Sequence, residues 1–125
     1  MTIAYWCVLV AILLPYVWFA IANKQAKKPR NNEEPRDFLI TVEGMARRAF
    51  GAHLNSFEAN IGFIAGVIIA SLVHAPQMRI DILAIIYVIV RVLHGYFYIT
   101  GKGTLRSIMF GIGFVATIGF FVISM

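Results

Sequence analysis

The sequence predicts an all-α membrane protein, a bundle of four transmembrane helices, and three observations carry the prediction. First, hydrophobic residues make up 60% of the 125-residue chain and charged residues only 14%. A soluble domain is roughly 45–50% apolar and about 25% charged, and a sphere of this size has too little interior to hide the excess. Second, four apolar runs stand out, roughly 3–22, 52–73, 80–100 and 108–124. Each is about 17–22 residues long, enough to cross a hydrocarbon core of about 30 Å at about 1.5 Å per residue. Third, seven of the eleven Lys and Arg residues fall between Lys24 and Arg48, beside the first two runs. The length suits one domain over residues 1–125.

The first span contains Pro15, which predicts a kink because proline lacks the N–H of the helical ladder. No Lys or Arg precedes this run, so it reads as a retained span rather than a cleaved signal, despite Ala20-Ile21-Ala22. Cys7 lies inside it, with no second cysteine to pair with. Residues 23–37 hold Lys24, Lys27, Lys28, Arg30, Glu33, Glu34 and two prolines, and read as a solvated loop. Phe38 to Gly51 mixes apolar and charged residues, which predicts an extension of the second span out of the membrane. His74-Ala75-Pro76-Gln77 and Gly101-Lys102-Gly103 read as tight turns. Gly111, Gly113 and Gly119 in the last span suggest close helix packing.

The loops set the orientation. The first carries the seven basic residues and the third carries Lys102, with Arg106 just beyond, whereas the second carries only Arg79. Basic loops face the cytoplasm and its anionic lipids, so loops one and three are expected there and both termini outside. The basic stretch has no interleaved aromatics, so nucleic acid is not an expected partner, whereas membrane lipid is.

Charged residues are rare inside the spans, and the two clear cases, Glu58 and Arg91, each need a reason, since a charge at the bilayer centre costs roughly 2.5–3.5 kcal/mol on insertion scales. Glu58 shares a helix face with Arg48, Gly51, Asn55 and Gly62, while Arg91 shares one with His94, Gly95 and Tyr98. Antiparallel spans bring these faces to one depth, with Arg106 and Ser107 at the mouth of the fourth span. A polar pocket in the inner leaflet is therefore expected. The plainer alternative is a Glu58–Arg91 ion pair that neutralises two buried charges, with Asn55 as interhelical glue. His53 and His94 have no metal-like cluster around them, and no metal is expected.

The stretch Arg48-Ala49-Phe50-Gly51-Ala52-His53-Leu54-Asn55-Ser56-Phe57-Glu58 resembles the signature of the membrane-associated proteins in eicosanoid and glutathione metabolism, the MAPEG family. Tyr87 through Arg91 to Tyr98, then Leu105-Arg106-Ser107, resembles the family's third and fourth helices. The resemblance implies a homotrimer of four-helix subunits with glutathione bound between neighbours near the cytoplasmic side. It implies that Asn55 and Glu58 hold the tripeptide's backbone and amino groups, and that Arg91 and Tyr98 contact it or shape its pocket. Arg48 and His94, on the same faces, complete the implied binding set. Arg106 would stabilise the thiolate, and Ser107 matches a position credited with catalysis in prostaglandin-synthesising members. Three departures stand out: Gly51 where many members carry arginine, His94 where tyrosine is common, and Ala59 where an aromatic often follows the glutamate.

The expected function is a membrane-bound glutathione transferase or peroxidase acting on small hydrophobic electrophiles. The compact chain suggests a bacterial-type member in the inner membrane and argues against an eicosanoid substrate. Gly51 motivates one alternative, a family-like binding or scaffold protein without catalysis. A small proton-coupled transporter using Glu58 is the other, although in such transporters the key carboxylate usually lies in the first span, which here has no charge.

Overall fold

The computed structural model describes all 125 residues. It is all-helical: α1 (Ile3–Gln25), α2 (Pro35–Thr41), α3 (Gly44–Leu72), α4 (Gln77–Ile99) and α5 (Gly103–Ile123). α1, α3, α4 and α5 are long and apolar enough to cross a membrane. With no water to pair backbone groups in hydrocarbon, helices are the form such runs take. They make a bundle in which α1 packs on α3 and α4, and α5 packs on α4 and α3. Large apolar side chains such as Trp6, Leu13, Ile61, Ile82, Val115 and Val122 are exposed on the outer faces, as lipid contact requires. These features describe an integral, multi-pass membrane protein.

The interior is layered. At one end Trp18, Ala22, Phe38, Leu39, Val42, Ala46, Ala49, Phe50 and Ile99 form one apolar cluster. At the other, Ala4, Ala11, Phe63, Val67, Ala70, Ile80, Ala84, Tyr87 and Phe120 form a second. The buried polar residues are His53, Ser56, Asn60, Arg91 and His94. Along α3 and α4 all five fall between the two clusters. Buried alanines on α1 and α3 let those helices approach closely, which drives packing where no hydrophobic force separates helix from lipid.

Pro15 creates a specific problem. Its missing N–H leaves the Ala11 carbonyl without its helical donor. Asn60 supplies one from α3, its Nδ2 lying 2.6 Å from Ala11 O, and Tyr87 Oη donates in turn to Asn60 Oδ1 at 3.0 Å. Seven residues before Asn60 on the same face, His53 Nδ1 sits 2.8 Å from the Pro15 carbonyl. The proline-containing turn of α1 is thus held by two side chains of α3. At the far end of α4, Asp81 accepts from Ala4 N and from Gln77 Nε2, each at 2.9 Å, so a carboxylate caps the start of α1.

The expected extension of the second span over Phe38–Gly51 holds from Gly44 to Gly51 and is corrected before it. The helix breaks at Val42-Glu43, and the first part is the separate α2. Gly44 has φ +61°, a left-handed value glycine adopts freely, so the chain can turn there. The turn lets Phe38, Leu39 and Val42 fold onto the apolar cluster with Trp18 and Phe50, which a continuous helix would have held in water. Arg47 Nη1 donates to Ile40 O at 3.1 Å and caps the end of α2.

Removing the clamp at Asn60 should destabilise the protein through the Ala11 carbonyl. Asn60→Leu is expected to cost about 1–2 kcal/mol in detergent thermal unfolding. In a Pro15→Ala background, where the ladder is restored, the same change should cost less than half as much. Equal losses in the two backgrounds would show that the bond serves something other than the orphaned Ala11 carbonyl.

Candidate functional site

The site is built where α3 and α4 face each other in the polar layer. Arg91 is 2% exposed. Its Nη2 donates to Asn55 Oδ1 at 2.9 Å and, more weakly, to Ser56 Oγ at 3.5 Å. Ser56 returns its own proton to Ala52 O at 2.8 Å. Arg91 Nε has no partner. The Glu58–Arg91 ion pair, the plainer alternative, does not form. The amide of Asn55, one turn before Glu58, takes the guanidinium, and the Glu58 carboxylate is exposed on the open side of α3. The buried cation is therefore solvated by neutral oxygens and has no protein counter-charge in contact.

Tyr98 organises the end nearer the α4–α5 turn. The Arg106 guanidinium lies 4.5 Å from the centre of its ring, a cation–π contact. The His94 ring stands edge-on to the same ring, with centroids 5.7 Å apart at 76°. Behind Tyr98 is Gly51. A β-carbon at position 51 would lie 2.5 Å from the phenol oxygen and 2.7 Å from Cζ. Gly51 is thus the place where the phenol rests on the α3 backbone, and a larger residue there requires the Tyr98 ring to shift. Arg48, one turn earlier, donates from Nε to the Ile99 carbonyl at 2.8 Å and so caps the end of α4.

Three cavities meet at Asn55. The first, about 280 Å³, runs between α3 and α5 and is lined by Glu58, Gly62, Tyr87, Arg91, Phe110 and Phe114 among others. The second, about 300 Å³, is bounded by His94, Tyr98, Arg106, Ser107 and Phe110. The third, about 470 Å³, lies over Gly51 and is edged by Arg47, Arg48, Glu58 and Tyr98. The eight residues assigned to the site from the sequence each line at least one of them: Arg48, Asn55, Glu58, Arg91, His94, Tyr98, Arg106 and Ser107. Ser107 is exposed at the start of α5, and Arg106 is half-buried beside it.

Other residues enter that the sequence reading missed. Ser56 supports Arg91, and Phe110, Phe114, Thr117 and Tyr87 wall the first cavity. Ser56 carried a signal, since it adjoins Asn55 on a helix whose period turns both toward α4. Phe110 and Phe114, at i and i+4 on an apolar helix, carried none that set them apart from lipid-facing aromatics. His53, the histidine of the Ala-His pair, lines none of these three cavities; it is 3% exposed and bonded to α1.

A family model, described as the MAPEG family, matches residues 3–125. No curated protein and no solved structure matches the chain.

The contact between Gly51 and Tyr98 makes a testable pair. Gly51→Ala should lower the unfolding temperature by displacing the ring, at a cost of about 1–3 kcal/mol for overpacking. Tyr98→Ala in the same chain should remove most of the added loss. If the two effects simply add, the phenol does not depend on the bare backbone at position 51.

Proposed function

Since the chain belongs to the MAPEG family, it is a membrane protein of the glutathione- and eicosanoid-metabolism type, and we propose that it activates glutathione as a thiolate for reaction with hydrophobic electrophiles, as a transferase or peroxidase. The observation that carries the reading is the set of cations around an open polar site. Arg91 is buried without a counter-anion, Arg106 is held over Tyr98, and Arg47 and Arg48 edge the adjoining cavity. Glutathione brings two carboxylates and a thiol that must ionise.

In this reading Asn55 and Glu58 take the backbone amides and the ammonium group of the tripeptide. Glu58 is free to do so because it is not spent on Arg91. Arg91, His94 and Tyr98 shape the pocket. Gly51 lacks the arginine common in the family, and Arg48, one turn away in the same cavity, offers the replacement carboxylate anchor. Arg106 supplies the positive charge that favours thiolate over thiol. Ser107 adds a hydroxyl beside it. The thiolate then attacks an electrophile arriving from the bilayer along the apolar wall of Phe110 and Phe114. A homotrimer in a bacterial inner membrane, with the α1–α3 and α4–α5 loops in the cytoplasm, completes the proposal.

Glutathione titration of the detergent-purified protein, read by calorimetry, tests binding, and conjugation of a chloronitrobenzene tests chemistry. Arg106→Ala should reduce conjugation about a hundredfold or more while chemical cross-linking still yields a trimer. Full activity in that variant would sink the thiolate assignment. Tight binding with no thiolate absorbance would favour the second reading, a binding protein without catalysis, which Gly51 motivates. The orientation is checked separately. Asn31→Cys, in the α1–α2 loop, should resist a membrane-impermeant maleimide in intact cells and react after lysis.

A further inference from the structure

His94 is buried, yet its ring makes no hydrogen bond. It is 2% exposed, and its Nδ1 is buried without a partner. Buried polar groups nearly always find partners, and one that does not calls for a reason. The ring borders the 300 Å³ cavity that also meets Asn55, Tyr98, Arg106 and Ser107. Two aromatic walls fix its orientation, Tyr98 at 5.7 Å and Phe110 at 6.4 Å between centroids. As a neutral imidazole it offers one N–H and one lone pair. Arg106, the proposed thiolate partner, lies over the Tyr98 ring and lines the same cavity. One cavity therefore holds a cation for the sulfur and, beside the same phenol, an unused donor.

We propose that His94 donates a hydrogen bond to the electrophile, and that the electrophile class the site takes is a conjugated carbonyl compound, an enone or enal. This rests on the glutathione reading above and names its acceptor. The thiol first loses its proton to solvent. The thiolate sulfur forms a bond to the β-carbon, and the C=C π pair moves toward the carbonyl, leaving negative charge on oxygen. That enolate oxygen is where the His94 N–H acts. The α-carbon then takes a proton from water, so thiol and enone become one adduct with no leaving group and no redox partner. A donor placed where charge develops lowers the barrier most in a site closed to water. An enone can engage both groups because its electrophilic carbon and its oxygen lie at opposite ends of one rigid conjugated unit. Displacement of a halide develops no such oxyanion and gains nothing from His94.

The test compares two acceptors with the full-length protein in detergent: benzalacetone, an enone, and benzyl chloride, which has no oxygen. The readout is the ratio of kcat/KM for the enone to kcat/KM for the halide, in which any common loss of thiol binding cancels. His94→Phe should lower this ratio about 10- to 100-fold, and His94→Gln, which restores an N–H donor, should recover a measurable part of it. A ratio unchanged in His94→Phe overturns the proposal and leaves the glutathione reading standing. Wild-type protein that conjugates neither acceptor and does not bind glutathione overturns both.

Discussion

A single missing hydrogen bond sets the geometry of this bundle. Pro15 takes one donor out of α1, and inside a bilayer no water replaces it. Asn60 answers from α3 at the carbonyl of Ala11, and His53 adds a bond at the carbonyl of Pro15. They are seven residues apart, so they lie on one face, and their bonds fix both the rotation and the register of α3 against α1. At about 100° per residue, Asn55 points about 200° away from His53. Pinning one face to α1 therefore aims the other at α4 and α5. Asn55, Glu58 and Gly62 meet the cavities because His53 and Asn60 do not.

That division explains an allocation of polar groups that composition alone leaves open. Two of the polar side chains in the middle of α3 stabilise the fold, and the others face the site. Arg91 belongs to the second group in an unusual way. A guanidinium taken out of water loses several kcal/mol of solvation, and neutral oxygens on Asn55 and Ser56 return only part of it. A protein carboxylate in contact would offset more, and Glu58 is near enough along the chain to have served. Its exposure instead leaves two opposite charges available at one cavity, each able to meet a zwitterionic ligand.

Much of this was legible in the sequence, and the rest failed for identifiable reasons. Four long apolar runs separated by charge and turn residues declare their helices, because lipid permits few other structures. The shared faces of Asn55 with Glu58 and of Arg91 with Tyr98 follow from the helical period. The period could not reveal the break at Val42-Glu43, since Phe38 to Gly51 keeps an amphipathic pattern through it and only Gly44 hints at a turn. Nor could it reveal that Asn60 serves Ala11, because the need arises on one helix and the answer lies 49 residues away. Glu58 and Arg91 look paired in sequence because charge invites pairing. The structure satisfies the arginine with an amide one turn nearer.

Gly51 changes meaning in the same light. Read along the chain, it is an absence, a family arginine missing. Read in space, it is the floor on which the Tyr98 phenol rests. An arginine there and a phenol in this position exclude each other on steric grounds alone. The exchange is not neutral for chemistry. Tyr98, brought down onto α3, carries Arg106 on its face and His94 at its edge. A cation–π contact of this kind holds a guanidinium by about 0.5–2 kcal/mol without neutralising it, whereas a carboxylate partner would hold it harder and quench its field. A glycine on α3 thus lets an aromatic ring position a cation that keeps its charge, which is the property a thiolate needs from its partner.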